Sequence, residues 1–169
     1  MSFSNDVKNE LSRLETNEVC CDKAELLGVL RMSGAIVIRG MNIGIHFSTE
    51  NAALARRVLQ ILKNNYQVQT EVVITRSRRL KKNNRYQVRV LPAPQVNIAM
   101  TELQLLSMES DLKNPLLTKQ CCKRAFLRGA FLGGGSISRP SSDYHLEMVT
   151  GNEDFARSII KVLRATNGY

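Results

Sequence analysis

The sequence predicts an α+β fold with antiparallel sheets, in which one helix-hairpin-helix-hairpin-helix unit occurs twice and the second copy is incomplete. Three observations predict it. Residues 20–63 match residues 121–164 at a constant offset of 101 positions, with 12 identities in 44 and no gap, the signature of an internal duplication. Pairs of short alternating segments are interrupted by helical patterns instead of alternating with them one for one, which favours hairpins over parallel strands. The helix that opens each copy also carries an interior glycine, Gly28 and Gly129.

The elements follow in order. Residues 3–15 read as a helix capped by Ser4, with Val7, Leu11 and Leu14 at helical spacing. Residues 22–34 form a second helix that Asp22 opens. A strand at Ile36–Arg39, a turn at Gly40-Met41-Asn42 and a strand at Ile43–Ser48 make the first hairpin. Ile43, Ile45 and Phe47 point inward there and alternate with Gly44, His46 and Ser48. Glu50–Tyr66 is a third helix with Leu54, Val58, Leu59 and Leu62 on one stripe. Strands follow at Val68–Ser77 and Arg85–Leu91, the second stopped by Pro92 and Pro94. A helix then runs over roughly Val96–Leu112 until Asn114-Pro115 breaks it.

The second copy repeats a helix at 121–133, a strand pair at 136–139 and 144–150, and a helix at 152–167. Tyr144, Leu146 and Met148 take the inward positions of Ile43, Ile45 and Phe47. The counterparts of residues 68–112 would fall beyond Tyr169, so the chain reads as part of a longer protein. The expected division is an N-terminal helix over 1–19, a first repeat over 20–114 and a truncated second repeat over 115–169.

Interior glycine costs a helix up to about 1 kcal/mol relative to alanine, so its recurrence needs a reason. Ala24-x-x-x-Gly28 and Ala125-x-x-x-Gly129 put two small residues one turn apart on one face. Two such helices can pair at close range. The stretches Leu26-Leu27-Gly28-Val29-Leu30-Arg31-Met32-Ser33-Gly34 and Leu127-Arg128-Gly129-Ala130-Phe131-Leu132-Gly133-Gly134-Gly135, each followed by a hairpin, resemble the two LAGLIDADG motifs of a single-chain homing endonuclease. That resemblance implies a fold in which the motif helices pair at the centre and saddle-shaped antiparallel sheets lie along DNA. It also implies catalytic acids at the motif-helix ends, where this chain has Ser33 and Gly134. Neither can serve a divalent ion as a carboxylate does.

With its opening Met-Ser-Phe-Ser-x-Asp-Val-Lys-x-Glu-Leu, its Arg31-Met32-Ser33-Gly34 helix end and its Arg124–Gly129 stretch, the chain resembles the WhiA family over its whole length. The resemblance implies a non-catalytic transcriptional regulator linked to sporulation or cell division and chromosome segregation. It further implies a C-terminal helix-turn-helix domain, absent from this chain.

Charge agrees with an anionic partner. The chain carries +9 with a pI near 9.7, and residues 71–91 concentrate it: Arg76, Arg78, Arg79, Lys81, Lys82, Arg85 and Arg89 stand against the single acid Glu71. Arg85, Gln87 and Arg89 share one strand face, with Tyr86, Val88 and Val90 on the other. Such donors suit phosphates and base edges; the competing reading is a solvated edge hairpin whose charge discourages aggregation. Double-stranded DNA is the expected partner, with other regulatory proteins besides. A protein-interaction module that leaves DNA to the helix-turn-helix is the alternative function, and an active metal-dependent endonuclease a further one.

Other chemistry is thinly represented. No Ser/His/Asp pattern, phosphate-binding glycine motif or Cys/His nucleophile arrangement occurs, and His46 and His145 fall on outward strand positions. Cys20-Cys21 and Cys121-Cys122 are expected to be reduced and partly buried. Adjacent cysteines match zinc-site spacing poorly, and a metal site would need the two pairs to meet in space. No metal and no cofactor is therefore expected. With no apolar run near the roughly 20 residues of a membrane span and no signal-peptide pattern at the N-terminus, the sequence reads as cytoplasmic and nucleoid-associated.

Overall fold

The computed structural model describes residues 2–15, 18–76, 84–105, 113–141, 143 and 145–166. Helix α1 (Phe3–Ser12) is capped by Ser2, whose hydroxyl accepts the Asn5 amide, and not by Ser4. The Ser4 hydroxyl instead donates to the Ile137 carbonyl and accepts the Ile137 amide, at 2.9 and 2.7 Å. Helix α2 (Val19–Ser33) starts ahead of Asp22, because the Glu18 carbonyl already receives the amides of Cys21 and Asp22. Both cysteines of the first pair therefore lie in its first turn.

Strands β1 (Gly34–Arg39) and β2 (Asn42–Thr49) turn through Gly40, whose φ of +62° suits a residue without a Cβ. Asn51 caps α3 (Ala52–Asn65) through its side-chain oxygen. Strands β3 (Thr70–Arg76) and β4 (Asn84–Val90) precede α4 (Pro94–Leu103). The helix expected to reach Leu112 ends at Leu103. Gln104 adopts a left-handed backbone, φ 54°, and folds its amide onto the carbonyls of Met100 and Thr101. Residues 106–112 lie outside the described residues.

A short helical turn at Pro115–Leu117 leads to α5 (Gln120–Gly134), β5 (Gly135–Ile137), β6 (Leu146–Met148) and α6 (Glu153–Ala165). Moved by 101 positions, the bounds of α2 fall on those of α5. The caps repeat too: Asn152 caps α6 as Asn51 caps α3, and the hydroxyls of Thr49 and Thr150 each accept the amide of the capping asparagine.

All strand pairs are antiparallel. The first copy forms a four-stranded sheet in the order β1-β2-β4-β3, and β5 and β6 pair separately. Helices α2 and α5 pack along each other at the centre. Ile45, Phe47, Val88 and Val90 face the helices and are buried, as their alternation predicts. The second copy departs from its expectation. Met148 is half-buried, but Leu146 is 57% exposed. The second hairpin has only three paired positions and no further strand among the described residues, so little covers Leu146. Tyr144 falls outside the described residues.

Candidate nucleic-acid interface

The four-stranded sheet has two unlike faces, and the register defines them. Opposed residues share a face. Ile45 opposite Val90, and Phe47 opposite Val88, lie toward the helices. His46 opposite Arg89, and Ser48 opposite Gln87, therefore lie on the other side. Glu71, Val73 and Thr75 of β3 join them there through Arg89, Gln87 and Arg85, and Arg39 joins them on β1 through the Ala35–His46 pairing. The core helices pack on the apolar face.

Of the basic residues that the sequence singles out, Arg85 and Arg89 share this outer face with Gln87 as expected. Arg89 donates to the Gln87 side-chain oxygen at 2.5 Å and lies 3.4 Å from Glu71, which fixes the guanidinium across two strands. Arg76 is exposed but opposes Asn84, on the helix-facing parity, so it does not join the group. Arg78, Arg79, Lys81 and Lys82 lie outside the described residues. His46 lies on this outer face, as its outward strand position predicts, and Arg39 and Thr75, which the sequence does not single out, complete it through the register of neighbouring strands. His46 is half-buried beside Arg89, not fully solvent-facing, whereas His145 is exposed and 3.0 Å from Glu147.

The motif helices meet as their small residues predict. Ala24 and Ala125 are fully buried. A Cβ added to Gly28 would meet the Phe126 carbonyl and lie 2.8 Å from the Ala130 nitrogen; one added to Gly129 would meet the carbonyl of Glu25. Any larger residue would push the helices apart. At the far ends of these helices, the Ser33 hydroxyl donates to the Gly133 carbonyl at 2.5 Å, and a Cβ on Gly134 would stand 2.6 Å from Met32 Cγ. The junction is closed by side chain against backbone.

Beside the helix crossing lies a buried ion cluster that the sequence reading passed over. Glu25, 1% exposed, receives Nε of Arg57 from α3 and Nε of Arg128 from α5, and Arg57 adds a second bond at 3.2 Å. Arg57 also donates to the carbonyls of Ser12 and Leu14 at 3.0 and 2.6 Å, holding the end of α1. The Glu25 carboxylate and the buried Arg57 guanidinium are thus paired within the protein, as burial of charge requires, while Arg128 adds its Nε from a partly exposed position.

At the opposite end of the helix pair from Ser33, the two cysteine pairs meet. Sγ atoms of Cys20, Cys21 and Cys122 lie within 4.8 Å of one another; those of Cys21 and Cys121 lie within the same distance, with a Glu18 carboxylate oxygen. Cys21 and Cys122 are buried, Cys20 and Cys121 half-buried. Burial, then the neighbouring thiols, pushes Cys122 up to about 12 and raises Cys21 as well.

Against known proteins, residues 19–106 match the WhiA N-terminal LAGLIDADG-like domain and residues 123–167 the WhiA LAGLIDADG-like domain. A "Probable cell division protein WhiA" of Oceanobacillus iheyensis is 41% identical over 170 residues, covering 98% of this chain and 53% of its own length. The protein of that name from Natranaerobius thermophilus is 36% identical over 168 residues, covering 97% of this chain and 52% of its own. The chain thus spans about half the length of these relatives. Among solved structures, the N-terminal LAGLIDADG domain of DUF199/WhiA superposes with a TM-score of 0.71 at 25% identity, covering 97% of this chain and 74% of that one. Full-length DUF199/WhiA from Thermatoga maritima gives 0.69 at 23% identity, covering 98% and 50%. By its matching domains and its relatives along nearly the whole chain, this protein belongs to the WhiA family.

Proposed function

We propose that this part of the protein is a non-cleaving DNA-binding module of a transcriptional regulator, serving cell division or sporulation. The observation that carries the reading is the face of the four-stranded sheet turned away from the buried core residues, where Arg39, Arg85 and Arg89 sit among Gln87, Ser48, Thr75 and His46. A twisted sheet with donors on its open face can follow a groove, with arginines on phosphates and Gln87 within reach of base edges. The basic residues between β3 and β4 extend the same charge in sequence. The name that the relatives carry supports the cell-division context. Ser33 and Gly134, at the ends of α2 and α5, support the absence of cleavage, since neither offers a carboxylate to a divalent ion.

Affinity for duplex DNA measured against salt tests the surface. Each phosphate contact contributes about 0.9 to the slope of log affinity against log salt. Arg85→Ala/Arg89→Ala should therefore flatten the slope by about 2 and weaken binding at least about tenfold at moderate salt. An unchanged slope places DNA contact elsewhere. Supercoiled DNA incubated with Mg²⁺ or Mn²⁺ should stay intact, and nicking that EDTA abolishes and Arg85→Ala/Arg89→Ala reduces would defeat the non-cleaving reading.

A further inference from the structure

We propose that Cys20, Cys21, Cys121 and Cys122 form a binding site for a single thiophilic divalent cation, Zn²⁺ foremost, that ties the first turns of α2 and α5 together. The duplication builds the site. Each copy places an adjacent cysteine pair in the first turn of its motif helix, and the crossing of the helices brings the pairs face to face. The contacts run across the helix pair: Cys122 Sγ lies within 4.8 Å of Cys20 and Cys21, and Cys121 Sγ within 4.8 Å of Cys21. Neither pair could enclose an ion alone, because successive residues on a helix diverge by about 100°. Two pairs on crossed helices supply four sulfurs from opposite sides.

The spacing suits one ion. A tetrahedron of zinc–sulfur bonds near 2.3 Å has sulfur–sulfur edges of about 3.8 Å. The sulfurs of Cys20, Cys21 and Cys122, within 4.8 Å of one another, reach that by closing through about 1 Å, and Cys121, within the same distance of Cys21, completes the set by turning about χ1. The edges are too short for an iron–sulfur cluster, whose ligands stand farther apart around a larger body. Four thiolates form a closed structural set with no position left for water.

Burial raises the metal-free thiols, and helix ends and nearby cations offset part of the negative charge that a bound cation would draw out. Both helices, of 15 residues each, point their N-termini at the cluster. Lys119, Lys123 and Arg124 flank the second pair, and α5 has no acid in its first turn. The Glu18 carboxylate, 3.4 Å from Cys20 Sγ, accepts from that thiol in the metal-free chain, and the thiol protons leave to solvent when the cation binds. The site lies at the opposite end of the helix pair from Ser33 and Gly134, about 20 Å away by helix rise. It is thus separate from the place where the resemblance to nucleases would put catalytic ions. Its role would be to lock the two copies together.

The whole chain, purified reduced and stripped with a chelator, is titrated with Co²⁺ and then Zn²⁺. The expected result is one equivalent of Co²⁺ giving the thiolate-to-cobalt and d–d absorption of a tetrahedral sulfur site, bleached by one equivalent of Zn²⁺. Zn²⁺ should also raise the melting temperature. Cys20→Ser/Cys121→Ser alters the two half-buried positions and is the variant best placed to keep the fold, checked by circular dichroism. It should weaken Co²⁺ binding by more than about 100-fold, beyond the loss of an outer partner, with the spectrum changed and the Zn²⁺-dependent melting shift gone. A folded wild-type chain that shows no tetrahedral cobalt spectrum overturns the proposal. So does an unaltered spectrum in the folded double variant, or four thiols that pair into disulfides under mild oxidation at the same rate with and without Zn²⁺.

Discussion

The two copies share one backbone plan and fill it with opposite chemistry. At matched positions in the central helices stand Glu25 and Phe126; at matched positions in the helices that follow the hairpins stand Arg57 and Ser158, and Leu54 and Phe155. In the first copy α3 is held by the Glu25–Arg57 ion pair. In the second, α6 is held by Phe155 meeting Phe126 edge to face, ring centres 6.1 Å apart and planes at 85°. Glu25 also takes Arg128 from the other copy, where the first has Leu27. The polar solution does something the aromatic one does not: Arg57 reaches on to the carbonyls that end α1. The start of α1 is bound to the second copy through Ser4 and Ile137, and the asymmetric charge holds its end to the first.

The sharpest way to break that comparison is at Glu25. Glu25→Gln leaves two guanidiniums facing a neutral amide, one of them buried. Urea unfolding should show a loss of about 3–5 kcal/mol, the usual result of orphaning a buried charge. A loss below about 1 kcal/mol would mean that the arginines find water instead. The partner experiment borrows the apolar design of the second copy. In Glu25→Leu/Arg57→Met/Arg128→Leu no charge is left unpaired, and stability should return to within about 1–2 kcal/mol of the parent. The end of α1 should nevertheless loosen, since nothing then binds the Ser12 and Leu14 carbonyls, and limited proteolysis near Arg13 should quicken. Recovery of both together would show that the ion cluster does not hold the end of α1.

The aromatic contact should respond more mildly. Phe126→Leu keeps most of the buried volume and removes the edge-to-face contact, so a loss of about 1–1.5 kcal/mol is expected in the same unfolding measurement. A loss as large as that of Glu25→Gln would put the two anchors on an equal footing.

How far these features were legible follows from what kind of signal each leaves. The paired helices were plain, because the repeat of Ala24 and Gly28 at Ala125 and Gly129 is a pattern along the chain. The start of α2 was not: Glu18 caps it through its backbone alone, a contact no side-chain preference reports, and Asp22 offered a more familiar opening. The end of α4 at Gln104 rests on one backbone conformation that glutamine does not advertise. Arg76 was grouped with Arg85 and Arg89 by charge density, but strand parity sends it to the other face. Glu25 was hidden among Leu26 and Leu27 as one more helix former; only its contrast with Phe126 across the repeat marks it. The cysteines illustrate the limit best. Spacing rules compare neighbours in sequence, and these cysteines meet across separations of 100 to 102 residues, through a helix crossing that the small residues themselves imply.

The smallest expected effect closes the comparison from the surface. Arg57 follows Arg56 in α3 as Ser158 follows Arg157 in α6. Arg157 pairs with Glu153 one turn earlier at 2.5 Å, with side chains 65% and 78% exposed. The geometry is as good as that of the buried pair, and the solvent is what differs. An exposed i,i+4 pair contributes about 0.3–0.5 kcal/mol, so Arg157→Ala should cost no more than about 0.5 kcal/mol. Salt provides the discriminating control. Raising ionic strength to 1 M shortens the screening length to about 3 Å, which should erase the Arg157→Ala difference while leaving that of Glu25→Gln nearly intact, because water and ions do not enter between Glu25 and Arg57. A salt-resistant Arg157→Ala loss would instead mean that this face of α6 is covered in solution, so that the second copy, too, holds a buried charge.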